Sequence, residues 1–244
     1  MDGSCRDYCF TDFDHAVVLD VETTGLEPKE DRIVAVAAIK ADFPDAARTG
    51  QVRGDYFEAR VNPGQPIPAA ASKVHGIEDH HVADDESFAD IAQQLRDFIG
   101  DLPIVGHNVQ FDKRFLNAEF KRAGVKGLGR TKSYCTMQRM KEHLGYTGQR
   151  WRKVSLAEAA DMLSVSGRKG SNHNAMEDAQ LALQVGVGFY VLDNDMADPP
   201  KAGKSSVKQT PEPKLGTQPS WRLPSKGIMI ALGVLLLLFL IGTL

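Results

Sequence analysis

The sequence has few cysteines, no long apolar stretch near its beginning and almost no net charge. Its three cysteines, Cys5, Cys9 and Cys135, lack the spacing of a zinc site and do not form the even set of a disulfide framework. The first residues are polar and acidic, so we do not expect a secretory signal. A reducing compartment suits this cysteine content better than the cell exterior.

The net charge of −3 conceals an uneven distribution of charge along the chain. Residues 1–120 hold 11 Lys and Arg against 23 Asp and Glu, whereas residues 121–170 hold 12 against 3. An acidic region beside a basic one suits a metal site next to a nucleic-acid track, although solvated surfaces show the same charges. The hydrophobic content of 42% is that of a globular protein able to bury a core.

Hydrophobic periodicity predicts an α/β domain with a mixed central sheet flanked by helices. Apolar and alternating runs predict strands at residues 15–22, 32–39, 55–63 and 102–108. Apolar residues at helical spacing predict helices at residues 87–99, 111–124, 154–163 and 174–193. Ser87 and Ser155 are the expected N-caps of two of these helices.

The composition changes twice in the last part of the chain. Residues 194–226 contain half of the 12 prolines and few large apolar side chains, which predicts a flexible linker. Residues 227–244 are 18 positions without a charge, which predicts a transmembrane helix of about 27 Å. Arg222 and Lys226 precede this segment, so the positive-inside rule predicts a C-terminal membrane anchor with the folded domain in the cytoplasm. The predicted organisation is an extension at 1–13, a folded domain at 14–193, the linker and the anchor.

The clearest site signal is the pair Asp20 and Glu22 at the end of the first predicted strand. Residues two apart on a strand share a face, so the two carboxylates project together while Val21 points into the core. Burying two like charges requires a counter-charge, which a divalent cation with oxygen ligands supplies. Two solvated carboxylates at a strand end are the alternative for this pair taken alone. Asp112 follows another predicted strand at a helix start, where its charge can equally serve the helix dipole.

A histidine and a further carboxylate lie on either side of a predicted helix start. Asn174 and Glu177 have capping-box spacing, which predicts that the helix begins at Asn174 or Ala175. His173 then lies in the preceding loop, and Asp178 lies in the first turn or two. Along a continuous helix these two side chains would diverge, so a helix start between them is what allows both to face one site.

The order of these motifs resembles the DEDDh exonuclease family. Residues 20–25 read Asp-x-Glu-Thr-x-Gly, residues 107–112 read His-Asn-x-x-Phe-Asp, and residues 173–178 read His-x4-Asp. Residues 74–77 and 134–137 also resemble family segments, and the closest likeness is to the DnaQ-like proofreading exonucleases of bacterial DNA polymerase III. The resemblance covers about residues 14–192. It implies an RNase H-like α/β fold and the removal of nucleotides from 3′ ends.

The resemblance also implies the composition of the active site. Four carboxylates would hold two Mg²⁺ or Mn²⁺ ions and His173 would be the general base; the carboxylates are Asp20, Glu22, Asp112 and Asp178. The residues implied to border the terminal nucleotide are Thr23, Thr24, Leu26, His75, Asn108 and Phe111. Leu26 is a candidate wedge against the base, whereas Phe111 can equally be a core residue of its helix. The basic residues between 121 and 169, among them 150–153, would follow the phosphate backbone or form a solvated face.

The predicted function is a metal-dependent 3′–5′ exonuclease, tethered to a membrane, that acts on nucleic-acid 3′ ends and favours single-stranded DNA. Residues 209–213 lack the hydrophobic side chains of a clamp-binding peptide, which favours a stand-alone nuclease over a polymerase subunit. The motifs do not distinguish DNA from RNA, so an RNA-trimming exonuclease or oligoribonuclease is the first alternative. A non-catalytic, membrane-tethered nucleic-acid-binding module is the second, which the complete set of site residues disfavours.

Overall fold

The computed structural model describes residues 10–52, 54–145, 153–165 and 173–196, together with the backbone of residues 228–229. These residues form one sheet with helices packed on both faces. The strands are β1 (His15–Thr23), β2 (Ile33–Asp42), β3 (Tyr56–Arg60), β4 (Ile104–Gly106), β5 (Ser133–Cys135) and β6 (Ile228–Met229). The helices are α1 (Phe43–Thr49), α2 (Ala69–His75), α3 (Asp79–Val82), α4 (Phe88–Ile99), α5 (Val109–Arg122), α6 (Thr136–His143), α7 (Leu156–Met162) and α8 (Ala175–Asp193).

The sheet is mixed, as the sequence predicts. Its strand order is β5-β4-β1-β2-β3-β6. The first three strands in the sequence pair antiparallel, β1 with β2 and β2 with β3. β4 joins β1 in parallel, and β5 joins β4 in parallel. The centre of the sheet is therefore β1, the strand that carries the Asp20 and Glu22 pair.

Alternating residues of β1 divide the core into two layers. Val17, Leu19 and Val21 pack with the apolar residues of α4 and α5. Ala16 and Val18 face the other way, toward the core that contains the apolar residues of α8. Each fully buried large apolar side chain contributes about 1.5–3 kcal/mol to folding, so both layers hold β1 firmly in place. The carboxylates at the end of β1 thus stand on a rigid strand.

The predicted elements are confirmed with small shifts of their ends, and five others besides β6 were not predicted. The four predicted strands and four predicted helices correspond to β1 to β4 and to α4, α5, α7 and α8. Ser87 and Ser155 stand at the N-cap positions of α4 and α7, as expected. The elements that were missed are α1, α2, α3, α6 and β5, none longer than eight residues. Short elements give few periods for a hydrophobic pattern, so these were missed, although α7 and β4 of similar length were found.

The packed unit includes residues that precede the predicted domain boundary at residue 14. Phe10 is fully buried, and its ring centroid lies 3.7 Å from that of Tyr134 and 5.1 Å from that of Phe43. The ring also lies close to Gly186 of α8, where an added Cβ would approach it to 3.2 Å. A small residue at that position makes room for the aromatic cluster.

The predicted anchor at residues 227–244 lies almost wholly outside the described residues, as does the predicted linker after residue 196. The two residues of this segment that are described, Ile228 and Met229, form β6. They pair antiparallel with Ala59 and Glu58 of β3. The physical reason is that the outer edge of β3 offers backbone groups for pairing. Within the described part of the chain, no helix has the length and hydropathy needed to cross a membrane.

Candidate active site

The carboxylates of β1 occupy a space that β2 leaves open. Asp20 and Glu22 lie on one face of the strand, while Val21 is buried in the core behind them, as predicted. The strand register places Ala37 opposite Asp20 and Ala35 opposite Glu22. Neither alanine has a side chain long enough to fill the space beside a carboxylate. Glu22 is nonetheless only 7% exposed, so its charge lies inside the molecule.

Asp112 approaches β1 from the opposite edge of the strand. On this edge β4 pairs with β1 at Val17 and Val18. Asp112, in the first turn of α5, accepts a hydrogen bond from the N–H of Val21 at 3.2 Å. Burial raises the pKa of Asp112; the hydrogen bond from Val21 opposes that shift, and the negative charge of Glu22 adds to it. A carboxylate held here in its charged form needs a nearby cation.

The start of α8 brings a histidine to a carboxylate. The Asn174 side chain caps the helix by accepting hydrogen bonds from the N–H groups of Met176 and Glu177 at 3.0 and 3.1 Å. The helix therefore begins at Ala175, as predicted. His173 lies just before this cap, and its Nδ1 is 2.8 Å from Oδ2 of Asp178. The sequence predicts that a helix start between these two residues would let both side chains face one site, and the two side chains are in contact.

Three of the predicted site residues form a group that suits a metal ion. Glu22, His173 and Asp178 each offer one ligand atom, and these atoms lie within 4.8 Å of one another. Carboxylate oxygens are the ligands that Mg²⁺ and Mn²⁺ prefer, and a histidine nitrogen is compatible with Mn²⁺. The charge of Glu22 is also felt by Asp112. The residues present therefore fit a divalent cation. Asp20 and Asp112 lie outside this three-residue group, although Asp20 shares a strand face with Glu22.

The loop after β1 presents one apolar side chain to solvent. Leu26 is 74% exposed, the most exposed of the large hydrophobic residues in the described part of the chain. Thr23 and Thr24 are buried, and their hydroxyl groups form hydrogen bonds inside the loop, to the carbonyl of Gly25 and to Asp31. Of these three residues, only Leu26 presents a largely exposed side chain to a ligand.

A cavity of about 270 Å³ lies beside Glu22 and His173. His75 lines it and is 7% exposed; its Nδ1 accepts a hydrogen bond from the N–H of Ile77 at 3.0 Å. Burial lowers the pKa of His75; the Thr23 carbonyl opposes that shift and the nearby His173 adds to it. His75 is therefore neutral near pH 7, with its proton on Nε2.

The two other residues implied to touch the nucleotide belong to α5. Asn108 occupies the N-cap position with φ of 74°, a left-handed conformation that asparagine tolerates better than most residues. Phe111 is partly buried against the core, and its ring centroid is 4.8 Å from that of Phe115. Packing in the core was the alternative that the sequence left open for Phe111.

The cavity is also lined by residues that the sequence did not suggest. Glu58 and Arg60 of β3 lie across the sheet from Ala37 and Ala35, and His81 of α3 lines the same cavity. Burial raises the pKa of Glu58, and the charge of Arg60 opposes that shift. The alternation along β3 could have placed both side chains on the face of Glu22, had the strand order been known. Most of the basic cluster at 150–153 lies outside the described residues; Lys153 is exposed.

Comparison with protein families identifies the class of protein. A family model described as exonuclease, of the RNase T type, matches residues 17–185. The match contains all three motifs and extends from β1 into α8. The chain therefore belongs to the exonuclease family.

Individual relatives narrow this class. The chain is 33% identical over 177 residues to DNA polymerase III subunit epsilon of Rickettsia prowazekii (strain Madrid E), covering 71% of this chain and 72% of that protein. A second relative, the same subunit of Rickettsia typhi (strain ATCC VR-144 / Wilmington), is 32% identical with the same coverage. The enzyme is accordingly a 3′–5′ exonuclease of the DnaQ-like, DEDDh type, a group that uses divalent metal ions.

Solved structures share the fold. E. coli exonuclease I in complex with a dA16 oligonucleotide superposes with a TM-score of 0.55 at 19% identity, covering 74% of this chain. This chain spans only 41% of that exonuclease I chain. Exonuclease X in complex with 5′ overhanging duplex DNA gives a TM-score of 0.51 at 19% identity, covering 75% of this chain and 95% of the other. At such identities the likeness shows the fold alone, which is the RNase H-like exonuclease fold.

Proposed function

We propose that this enzyme releases nucleoside monophosphates from the 3′ ends of single-stranded DNA with two divalent metal ions, and that its C-terminal segment tethers it to a membrane. The observation that carries the catalytic part is the meeting of Glu22, His173 and Asp178 within 4.8 Å. Glu22 comes from the end of β1, and His173 and Asp178 come from the start of α8. Glu22 and His173 are 151 positions apart in the sequence. Such a meeting of a histidine with two buried carboxylates is suited to hydrolysis of a phosphodiester.

In this proposal the four carboxylates of the motifs hold two Mg²⁺ or Mn²⁺ ions; they are Asp20, Glu22, Asp112 and Asp178. Four negative charges balance two divalent cations, which removes the cost of burying Glu22, Asp112 and Asp178 as anions. When bound, the ions supply positive charge to the phosphate and make water a stronger acid. The protein's part is to hold the carboxylates on β1, α5 and α8, which are all fixed by core packing.

His173 is proposed as the general base that accepts the proton of the attacking water. Its Nδ1 faces Asp178 at 2.8 Å, and a proton on Nδ1 leaves Nε2 as the basic nitrogen. The imidazole side chain is 49% exposed, so it can exchange that proton with solvent after each turnover. Asp178 then orients the ring through a charge-assisted hydrogen bond.

DNA is the proposed substrate in preference to RNA. The relatives named above are subunits of DNA polymerases, and both structural neighbours were solved with DNA. Leu26, exposed beside the site, offers an apolar contact to the face of an unstacked base. A single-stranded end presents such a base without the cost of separating a duplex.

The experiment uses the full chain with 3′-labelled single-stranded DNA and RNA of one sequence, in Mg²⁺ or in EDTA. We expect mononucleotides to be released from the 3′ end of DNA only when metal is present. The variants Asp20→Ala and His173→Ala are expected to lose nearly all activity. Asp84→Ala removes an exposed carboxylate and serves as the matched control, so it should behave like the wild type.

Each alternative has its own outcome in this experiment. Faster release from RNA than from DNA would replace the proposed substrate with RNA. Binding of both strands without any metal-dependent release would leave a non-catalytic binding module as the better account. Activity that is retained in His173→Ala but lost in Asp20→Ala would keep the metal site and remove the proposed base.

The membrane tether is proposed from residues 227–244, which carry no charge and follow Arg222 and Lys226. Insertion as a helix requires Ile228 and Met229 to leave their pairing with β3. That pairing involves only two residues, whereas burial of the whole apolar segment in lipid removes far more surface from water. The linker at 194–226 would let the folded domain remain in the cytoplasm.

Cell fractionation tests the tether. We expect the full chain to stay in the membrane pellet after a high-pH wash, and a chain that ends at Lys226 to appear in the supernatant. Protease added to sealed inverted vesicles should digest the folded domain if it faces the cytoplasm. Equal distribution of the two chains between pellet and supernatant would disprove the tether.

A further inference from the structure

The loop that follows β1, residues 24–32, holds an apolar side chain in water beside the active site. Leu26 at its tip is 74% exposed and lies four positions after Glu22. An exposed leucine on a mobile loop would gain little from contacting a base, because ordering the loop would cost most of the contact energy. The contacts of the loop show that it is held from two sides.

The inner side of the loop is fastened by Asp31. Its Oδ1 accepts a hydrogen bond from the Thr24 hydroxyl at 3.3 Å, and its Oδ2 accepts one from the N–H of Glu27 at 2.8 Å. The Thr24 hydroxyl oxygen also accepts a hydrogen bond from the Gln65 amide at 3.0 Å. A Cβ at Gly25 would lie 2.4 Å from Oδ2 of Asp31, so a side chain there would displace the carboxylate. The carboxylate of Asp31 therefore fills the inside of the loop and joins its two halves.

The outer side of the loop is fastened by the last turn of α5. The guanidinium of Arg122 donates hydrogen bonds to the carbonyl oxygens of Pro28 and Lys29. The same guanidinium lies 3.1 Å from Oε1 of Glu119, which is 4% exposed. Glu119 also accepts a hydrogen bond from the N–H of Ile33, where β2 begins. A buried carboxylate thus orients the arginine, and the arginine holds two consecutive loop carbonyls.

From these contacts we propose that Asp31 and Arg122 are positioning residues that keep Leu26 in place against the terminal base of the substrate strand. The inference deepens the proposed exonuclease function and rests on it. Asp112 lies in the first turn of α5 and Arg122 lies in its last turn. The same helix therefore contacts the predicted metal site at one end and the loop at the other. When Leu26 is held in place, its contact with the base contributes to binding and to alignment of the strand. When the loop is free to move, the cost of ordering it offsets that contribution.

The test compares two substrates in steady-state kinetics with the full chain. One substrate is a single-stranded dT oligonucleotide. The other is the 5′-p-nitrophenyl ester of thymidine monophosphate, a single nucleotide whose kcat reports on the metal site without the rest of the strand. For Arg122→Ala and Asp31→Ala we expect KM for the oligonucleotide to rise by about 10- to 100-fold. We expect kcat for the ester to stay unchanged, which also shows that the variants are folded.

A double variant distinguishes positioning from a general structural role. If Arg122 acts through Leu26, then Arg122→Ala has no further effect in a Leu26→Ala background, since coupled residues are not additive. Arg122→Lys keeps the charge beside Glu119 but cannot span both carbonyls, so its KM should be intermediate. Arg48→Ala removes an exposed arginine from the last turn of α1, outside the site, and is the matched control, with kinetics like the wild type.

The outcomes distinguish a failure of the proposed function from a failure of the positioning role alone. A wild-type enzyme that hydrolyses neither substrate overturns the proposed function and this inference with it. A wild-type enzyme that is active, with equal KM increases for Arg122→Ala in the wild-type and Leu26→Ala backgrounds, overturns the positioning role alone. Loss of ester hydrolysis in Arg122→Ala and Arg122→Lys alike also overturns it, because the arginine would then support the whole site.

Discussion

Nδ1 of His173 lies 2.8 Å from Oδ2 of Asp178, across the beginning of α8. Asp178 is 3% exposed, whereas the imidazole is half exposed, so the histidine joins a buried carboxylate to the solvent. This geometry suits a base whose ring is oriented from inside and whose proton leaves to the outside. It also brings a nitrogen atom near Glu22, which makes His173 a possible metal ligand. The two roles lead to different results on substitution.

Replacing the imidazole separates those roles. For His173→Ala we expect kcat to fall by about 100- to 10,000-fold with little change in KM, because general base catalysis contributes that much. If His173 is only a base, the rise in melting temperature caused by Mn²⁺ should be the same as in the wild type. Thermal unfolding with and without Mn²⁺ measures this. His80→Ala, at an exposed histidine, is the control. A lost Mn²⁺ response in His173→Ala would assign the histidine to the metal instead.

Metal binding should stabilise the fold through Asp112. Burial raises the pKa of this carboxyl, so without a cation its ionisation at neutral pH works against folding. Asp112→Asn keeps an oxygen for the N–H of Val21 and removes the charge. We expect Asp112→Asn to be at least as stable as the wild type in EDTA, and less stabilised by Mn²⁺. At 100 times its Kd, the metal stabilises the wild type by about 2.7 kcal/mol. Equal Mn²⁺ responses of the two proteins in urea unfolding would contradict this prediction.

The sequence predicts those parts of the site that depend on local geometry. Strand alternation places Asp20 and Glu22 on one face, and the helix start at Ala175 brings His173 to Asp178. Both are decided within about six residues, where backbone periodicity is sufficient. The positions of four strands and four helices are predicted for the same reason.

Features that depend on distant contacts could not be predicted. The cavity beside Glu22 depends on the pairing of β2 with β3, which brings Arg60 opposite Ala35. The hydrogen bond between Arg122 and the Pro28 carbonyl joins residues 94 positions apart, and no local sequence pattern predicts it. Apolar runs are ambiguous as well, because Ile228 and Met229 pair as a strand at a sheet edge.

His107 should make the stability of the fold depend on pH. Its Nδ1 lies 2.9 Å from the Thr136 hydroxyl and its Nε2 lies 2.8 Å from the carbonyl of Val154, which fixes the proton on Nε2. Burial lowers the pKa of His107 to about 4; the Val154 carbonyl opposes that shift, and the charges of Lys153 and Lys141 add to it. In the unfolded chain this histidine has a pKa of about 6.5, so at pH values between the two pKa values it is protonated only in the unfolded state.

The sign of this effect follows from the lowered pKa. The stability that depends on neutral His107 is complete above about pH 6.5 and is lost as the pH falls toward 4, by up to about 3 kcal/mol. Urea unfolding at several pH values measures the slope. His107→Gln cannot titrate, so its unfolding free energy should fall less over the same range, although it starts lower at pH 7. Parallel slopes for the two proteins would rule out His107 as the source.

The cap of α8 connects stability with catalysis. The side chain of Asn174 accepts two backbone N–H bonds, and the capped residue stands between His173 and the helix that carries Asp178. For Asn174→Ala we expect a loss of about 1 kcal/mol in the unfolding free energy, the usual cost of losing a cap. We also expect kcat to fall while the KM for oligonucleotide stays nearly constant, because the loop before the helix loses its fixed entry angle and His173 no longer meets Asp178 in one geometry. Asn174→Asp retains the cap, adds a negative charge, and should keep both stability and kcat near the wild type. Saturating Mn²⁺ in both assays controls for that charge.

If Asn174→Ala loses stability but keeps its full kcat, the cap supports the helix alone. The placement of His173 then comes from its backbone hydrogen bond to the carbonyl of Val74 at 2.8 Å.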